Sequence, residues 1–215
     1  ISSNFYDNPS SKLKLIGITG TNGKTSTAWM CQQILLQLSI KSLYVGTLGA
    51  YFDTQKLTLM HTTPDPYELF SLLERALQRG SKYFIFEASS HGLTQERLGP
   101  IKCDAAIFTS FSRDHLDFHQ TEENYWNAKL KLFKQHTKEK APVFVQNLLY
   151  KKLKNSLKRN GNRIYFFSMM DYARPVSGVL STRIYQEGNC ADYSFRYLKD
   201  FYYDQPMGNG EIVGQ

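Results

Sequence analysis

The stretch that decides the fold is "LKLIGITGTNGKTST", Leu13–Thr27. Leu13–Thr19 is a short apolar run of the kind that a strand buried on both faces requires. Gly20–Ser26, "GTNGKTS", then interrupts it with glycines and small polar residues around one lysine. Lys24–Leu38 follows with Ala28, Cys31, Ile34, Leu35 and Leu38 at helical spacing, which predicts a helix with that face buried. A glycine-rich turn between strand and helix is where a phosphate-binding loop belongs. Gly20 and Gly23 let backbone N–H groups turn toward an anion, with Thr21 and Asn22 between them. Lys24 reaches the terminal phosphates, and the Thr25 hydroxyl is placed for Mg2+. Only the G-x-x-G-K-T half of the longer pattern is present, because its first glycine would fall on Ile18. A nucleoside triphosphate is the expected ligand; the alternative is a glycine-rich strand-to-helix turn with a solvent-facing lysine.

Outward from this loop, strand-like and helix-like segments alternate. Ser42–Thr47 reads as a strand. Tyr67–Arg79 reads as an amphipathic helix (Leu69, Leu72, Leu73, Ala76, Leu77) that Gly80 is placed to end. Tyr83–Phe86 is an apolar strand running into Glu87, and Asp104–Thr109 is another. Glu122–Gln135 predicts helix, Val143–Val145 strand, Leu148–Leu157 helix and Ile164–Phe167 strand. Apolar strands separated by helices predict an α/β fold, a mostly parallel P-loop-type sheet flanked by helices. Functional loops in such a sheet gather at the carboxyl ends of its strands. From about Met170 the texture changes to alternating apolar and polar residues. Val179–Tyr185 and Asp192–Leu198, around "QEGNC", predict a small antiparallel β element (171–204) on the sheet edge near the C-terminus.

The bulk numbers are compatible with this. The 215 residues are 41% hydrophobic and 21% charged, enough for a sizeable core and unlike a disordered chain. The three cysteines, Cys31, Cys103 and Cys190, are far apart with no CxxC pair. They suggest no disulfide framework or structural zinc site, and a reducing cytoplasm is expected. No signal peptide precedes the first strand and no apolar run approaches about 18 residues, so no membrane span is expected. The net charge of +7 asks for an anionic partner. Basic residues concentrate in Lys129–Lys140 and Lys151–Arg159 at helical spacing. They read as solvated helix faces, with nucleic-acid binding as the alternative.

Three further loops carry chemistry. "FEASSHGL" (Phe86–Leu93) puts Glu87 at a strand end, where a carboxylate near a phosphate loop can hold Mg2+; the alternative is a solvated strand terminus. Ser89, Ser90 and His91 lack the nucleophile elbow of a hydrolase. "FTSFSRDHLDFH" (Phe108–His119) packs Arg113, Asp114, His115, Asp117 and His119 together. His115 and His119 have the spacing of zinc ligands on a helix, but no glutamate follows His115 and no third ligand is evident. A Mg2+ site using one histidine is the alternative. "HTTPDP" (His61–Pro66) is either a helix entry with Asp65 or Thr63 near the cap, or a set of hydroxyls for a substrate anion.

Taken in order, "GITGTNGKTS", "TTPD", "EASSHGLTQERL" and "FTSFSRDHLDFHQTEENYWNAKLKLF" resemble the ATP-dependent Mur ligases of peptidoglycan precursor synthesis, most closely the MurE type. The first segment is shared with folylpolyglutamate synthetases; the third and fourth are more specific. The resemblance spans about Phe5 to Phe133, with a weaker echo to the end, and implies an amide-forming ligase acting on UDP-MurNAc-L-Ala-D-Glu and an amino acid, with ATP and Mg2+. It implies that Gly20, Thr21, Asn22, Gly23, Lys24, Thr25 and Ser26 cradle the phosphates. It implies that Thr25, Glu87 and His115 ligate magnesium, and that Thr62, Thr63, Ser89, Gln95 and Arg97 contact the UDP-MurNAc-dipeptide. Lys129, in "YWNAK", falls where the family has a carbamylated lysine that helps position a second Mg2+. A solvent-facing helical lysine is the bland alternative.

The family's enzymes have three domains, and the resemblance covers the central, ATP-binding one (13–215). Residues 1–12 resemble a linker leaving an N-terminal domain, and "QPMGNGEIVGQ" replaces the family's G-x-F-N-x-x-N run. His61 stands where many relatives carry Asn, and "VFVQNLLYKK" replaces an N-x-D-D segment. Expected partners are the missing N- and C-terminal ligase domains; nucleic acid and membrane are not expected, and the chain is expected to be a monomer. A folylpolyglutamate synthetase and a non-catalytic P-loop nucleotide- or nucleic-acid-binding module remain the competing readings. The purified 215-residue chain is expected to bind nucleotide weakly without ligating. ATP-dependent amide formation by it with the dipeptide substrate would contradict this.

Overall fold

The computed structural model describes residues 2–157, 164–167, 180–188, 195–203 and 212–214. The first half runs α1 (Ser2–Phe5), a 3-10 turn (Pro9–Lys12), β1 (Lys14–Thr19), α2 (Lys24–Gln37), β2 (Ser42–Gly46), β3 (Gly49–Phe52), β4 (Gln55–Leu57) and α3 (Pro66–Gln78). There follow β5 (Tyr83–Glu87), α4 (Ser90–Thr94), β6 (Ala105–Phe108), α5 (Leu116–His119), α6 (Glu122–Gln135), β7 (Val143–Gln146) and α7 (Asn147–Ser156). The described chain ends in β8 (Ile164–Phe167), β9 (Leu180–Gly188), β10 (Phe195–Tyr203) and β11 (Ile212–Gly214).

Among the described residues these strands form one sheet in the order β11-β10-β9-β8-β7-β6-β1-β5-β2-β3-β4. The segment from β8 to β2 is parallel throughout, with β1 between β5 and β6. The mostly parallel α/β sheet expected from sequence is therefore present. Its central strands are buried by a period of two. Leu15, Leu43, Val45, Phe84, Phe86, Ala106 and Phe108 join one core with α3, α6 and α7, while Ile18, Tyr44 and Ile85 face α2 in a second. β1 is the crossover point of the sheet, so the loops after β1, β5 and β6 converge at one edge.

Local chemistry explains most boundaries. Asp65 caps α3 by accepting from the N–H groups of Tyr67 and Glu68, and Pro66 supplies a preset first turn. Gly80, at φ +78°, closes that helix in the left-handed conformation, as its position suggested. Thr121 caps α6 through the Asn124 N–H. Residues 1–12 were expected as a linker; within them, Ser3 is buried and Tyr6 packs its ring 5.8 Å from that of Tyr67 on α3.

Three features differ from the sequence reading. The sheet extends past β2 through β3 and β4, both antiparallel; four- and three-residue strands are too short to show a period. The α2 face is also corrected. Ala28 is buried and Cys31 and Leu35 pack partly buried against the core as expected, but Gln32 joins them, whereas Ile34 and Leu38 are exposed along with Met30. The helix is turned so that Gln32 Nε2 donates to Tyr51 O at 3.0 Å, a polar tether that an apolar count cannot register. At the C-terminal edge β9 and β10 pair antiparallel, from Leu180–Tyr203 to Gly188–Phe195, and β9 joins β8 at Phe166–Gln186. The strands lie later than Val179–Tyr185 and Asp192–Leu198; of the expected turn "QEGNC", Gln186–Gly188 belong to β9, and Asn189 and Cys190 lie outside the described residues.

Gly17 marks how tightly β1 is enclosed. A Cβ there would stand 2.8 Å from Cys103 Sγ, 2.9 Å from Leu132 Cδ1 and 3.0 Å from Phe86 Cζ. Overpacking of this kind costs about 1–3 kcal/mol. Gly17→Val is expected to lower the urea midpoint accordingly with an unchanged slope, measured by equilibrium denaturation.

Candidate active site

The turn after β1 is held in shape by the loop after β6. Thr21 N–H donates to Ser110 O at 2.8 Å, and the Thr21 hydroxyl contacts Ser112 O and the Tyr125 hydroxyl, each at 3.2 Å. Asn22 N–H donates to Ser110 Oγ at 2.9 Å, while Asn22 O accepts from Thr109 Oγ1 at 2.6 Å and Ser110 Oγ at 2.9 Å. A Cβ on Gly20 would collide with the Thr109 hydroxyl, so only glycine fits that close approach. Gly23 caps α2 at φ 84°, and the first helical bond is Thr27 N–H to Gly23 O at 3.0 Å. The N–H groups of Lys24, Thr25 and Ser26 thus precede the helical ladder and are left for an anion.

Two lysines meet over this turn. Lys24 Nζ donates to Gly20 O at 2.9 Å and Thr21 O at 2.8 Å. Lys129, from α6, is 1% exposed and donates to the same Gly20 O at 2.7 Å. Its ammonium lies 4.3 Å from the centre of the Tyr125 ring, a favourable cation–π placement. Burial, then the neighbouring Lys24, pull the Lys129 amine down to about 7; burial also lowers Lys24. The solvent-facing alternative for Lys129 is excluded by its burial.

Glu87, at the end of β5, is 0% exposed. Its Oε1 accepts from the Tyr44 hydroxyl at 2.6 Å and Thr47 N–H at 2.9 Å, and its Oε2 from the hydroxyls of Thr25 at 2.9 Å and Thr47 at 3.2 Å. This is no solvated strand terminus. A buried carboxylate oxygen beside a loop hydroxyl is a pair of hard oxygen donors, which fits Mg2+. Among the described residues no three His, Cys, Asp or Glu side chains converge as a metal site, so a cation here would complete its shell with phosphate oxygens and water.

Thr63, Ser89 and Arg97 come together. The Thr63 hydroxyl donates to Glu87 O at 2.8 Å and accepts Ser89 N–H at 3.0 Å, and Arg97 donates to Thr63 O at 2.8 Å. The Ser89 hydroxyl caps α4 through Gly92 N–H at 3.1 Å. Thr62 is joined to Thr47 through their hydroxyls at 3.1 Å. Gln95 sits exposed at the C-terminal cap of α4, apart from this network.

His115 adopts the left-handed conformation (φ 51°) at the start of α5, with its ring 5.1 Å from His91 and 5.9 Å from Tyr125. It meets Lys129 through Tyr125, and no hydrogen bond joins it to Glu87 or Thr25. His119 is buried against His91 and Tyr125. Burial lowers the pKa of His91 and His119, each with an imidazole neighbour adding to the effect. Sequence reading missed Tyr44, Thr47, Thr109, Ser110 and Tyr125. Thr47 and Thr109 follow strand ends and Tyr125 stands one turn before Lys129, whereas Tyr44, inside β2, and Ser110, in the loop after β6, carry no signal of their own.

The lowered Lys129 amine makes stability depend on pH. Between about 7 and the ordinary 10.5 the unfolded chain binds a proton that the folded chain does not, so this group favours folding progressively more as pH rises. Relative to the parent, Lys129→Met is therefore expected to gain stability as pH falls from about 10 to about 7. Equal stability differences at both pH values, by thermal melting, would contradict this.

Residues 18–200 match the family described as Mur ligase middle domain. The chain is 45% identical over 135 residues to the UDP-N-acetylmuramoyl-L-alanyl-D-glutamate–2,6-diaminopimelate ligase of Clostridium perfringens, covering 63% of this chain and 28% of that protein. It is 46% identical over 138 residues to the same-named ligase of Caldanaerobacter subterraneus subsp. tengcongensis, covering 64% and 29%. The chain thus spans less than a third of the length of these relatives. A solved structure of a ligase of that name superposes with a TM-score of 0.66 at 29% identity, covering 74% of this chain and 32% of that one. Mycobacterium tuberculosis folylpolyglutamate synthase shares the fold, with a TM-score of 0.64 at 15% identity over 84% of this chain and 50% of that one. Matched along most of its length, the chain belongs to the Mur ligase family, through its middle domain.

Proposed function

We propose that this chain binds Mg·ATP at Gly20–Ser26 and forms the phosphoryl-transfer centre of a MurE-type ligase. Such a ligase joins a diamino acid, 2,6-diaminopimelate in the relatives' names, to UDP-N-acetylmuramoyl-L-alanyl-D-glutamate. The observation that carries the reading is the pair of amines on Gly20 O, Lys129 buried and Lys24 half-buried, beside the Thr25–Glu87 oxygen pair. Among the described residues neither amine has a carboxylate within ion-pair distance. Positive charge held over open N–H groups is suited to a polyphosphate.

In this reading the N–H groups of Lys24–Ser26 and the Lys24 ammonium bind and orient the terminal phosphates. Thr25 and Glu87, with His115, would hold Mg2+, which supplies neutralisation of phosphate charge when bound. The γ-phosphoryl passes to the D-glutamate carboxylate, giving ADP and an acyl phosphate. The incoming amine then attacks the acyl carbon, and phosphate leaves from the tetrahedral intermediate. The chain's part is positioning and charge stabilisation. Thr62, Thr63, Ser89, Gln95 and Arg97 are assigned to the nucleotide-linked dipeptide, with Arg97 as its cationic anchor.

Lys129 has a second role here. An amine lowered to about 7 is substantially free base at neutral pH and nucleophilic toward CO2. Attack forms a C–N bond, releases one proton and leaves a carbamate, a carboxylate-like group opposite Lys24. Domain assignment follows the same reading: 13–215 is the ATP-binding unit of a longer ligase.

The test is calorimetric titration of Mg·ATP into the parent and Lys24→Ala. Losing a charge-assisted phosphate contact is expected to weaken binding about tenfold or more; equal affinities would sink the reading. In the longer ligase, amide formation with the UDP-linked dipeptide and not with folate separates this reading from a folylpolyglutamate synthetase.

A further inference from the structure

The Glu87 carboxylate does not hold its own orientation. Its two oxygens are treated differently. Oε2 lies by the Thr25 hydroxyl at 2.9 Å, on the side of the phosphate loop, with a longer bond from the Thr47 hydroxyl at 3.2 Å. Oε1 is turned toward β2, where it takes the Tyr44 hydroxyl at 2.6 Å and the Thr47 N–H at 2.9 Å. Tyr44 is fully buried. Its ring stands edge-on to Trp29, with centroids 5.7 Å apart, and to Tyr51 at 6.0 Å. The phenol is therefore locked in direction by α2 and β3 before it meets the carboxylate.

Gly46 gives an independent sign that the pair occupies a shaped slot. A Cβ at Gly46 would overlap both the Glu87 carboxylate and the Tyr44 hydroxyl, coming within 2.7 Å of Glu87 Cδ. The backbone conformation of Gly46 is that of an ordinary strand end, so the glycine is required by the space the carboxylate fills.

We propose that Tyr44 is a positioning residue for the cation site: with Thr47 N–H it immobilises Glu87 Oε1, so that Glu87 presents Oε2 alone, as a one-oxygen ligand beside Thr25. This rests on the assignment of Glu87 to the divalent cation of bound nucleotide. A carboxylate free to rotate can chelate through both oxygens or swing back toward Thr47. One pinned through Oε1 has its donor atom aimed before the cation arrives, and that pre-orientation strengthens binding. The hydrogen bond to the outer oxygen also fixes which lone pair faces the loop.

The experiment uses the full 215-residue chain and Mn2+ as the probe, read by electron paramagnetic resonance in the presence of ADP. ADP affinity is measured in parallel in EDTA. Tyr44→Phe removes one oxygen and keeps the ring packing. It is expected to weaken ADP-dependent Mn2+ binding about tenfold while leaving metal-free ADP affinity within about twofold. In a Glu87→Gln background the same substitution is expected to cause no further loss of Mn2+ binding, because the oxygen it positions is no longer a carboxylate. Gly46→Ala, which retains Tyr44 but crowds the carboxylate out of its slot, is expected to give the same metal-specific loss. Unchanged Mn2+ affinity in Tyr44→Phe, or a loss equal with and without metal, overturns the positioning role. A parent chain that binds ADP but gains no Mn2+ site overturns the cation assignment of Glu87 and this inference with it.

Discussion

Two lysine amines share one carbonyl oxygen, and much of the site follows from that arrangement. Lys24 and Lys129 both donate to Gly20 O, at 2.9 and 2.7 Å. Two such groups repel when both are protonated, and the buried one is poorly solvated, so packing must bring Lys129 there and its amine is lowered in consequence. α6 delivers Lys129 because Tyr125, Trp126, Leu130 and Phe133 are buried around it. The turn that carries Gly20 resists opening because Thr109, Ser110 and Ser112 bond to it at several points. The result is a basic concavity at the crossover edge of the sheet, where the strand order places loops from β1, β5 and β6 side by side.

Facing it is a buried acid. Glu87 is fully enclosed yet accepts four hydrogen bonds, from Tyr44, Thr25 and, twice, Thr47. A buried carboxylate is tolerable only when its oxygens are satisfied in this way. The donors come from β2, the turn after it and the first turn of α2, so satisfying the charge also ties three elements together. Thr63 extends the network by binding Glu87 O and Ser89. Structure and chemistry use the same contacts here: groups that hold the loops in register also aim the oxygen beside Thr25.

Much of this architecture was legible in the residues. The strands β1, β2, β5, β6, β7 and β8 announced themselves because parallel strands covered on both faces must be apolar throughout. Asp65 and Gly80 marked the ends of α3 by their own hydrogen-bonding and backbone preferences. The errors have local causes. α2 is apolar on more than one side, and counting could not choose the face; the bond from Gln32 to Tyr51 O did. β3 and β4 are defined by pairing alone. In the site, Lys24, Thr25 and Glu87 were found because loop chemistry near a strand end is a local signal. Tyr44 looked like one more apolar strand residue, and Thr109 and Tyr125 like ordinary loop and helix positions.

What the sequence determined by itself is the set of groups: a phosphate turn, a strand-end acid and an order of elements that forces their loops to one edge. These depend on backbone geometry and burial period, which are properties of short stretches. Only the tertiary structure decided the state of each group. It moved Lys129 from a basic helical run into a buried position beside Lys24 and lowered its amine. It left His115 joined to Lys129 only through Tyr125, and gave one oxygen of Glu87 to Tyr44. Burial, like-charge proximity and hydrogen-bond direction arise between residues far apart in the chain, 109 positions in the case of Lys129 and Gly20. No local pattern encodes them.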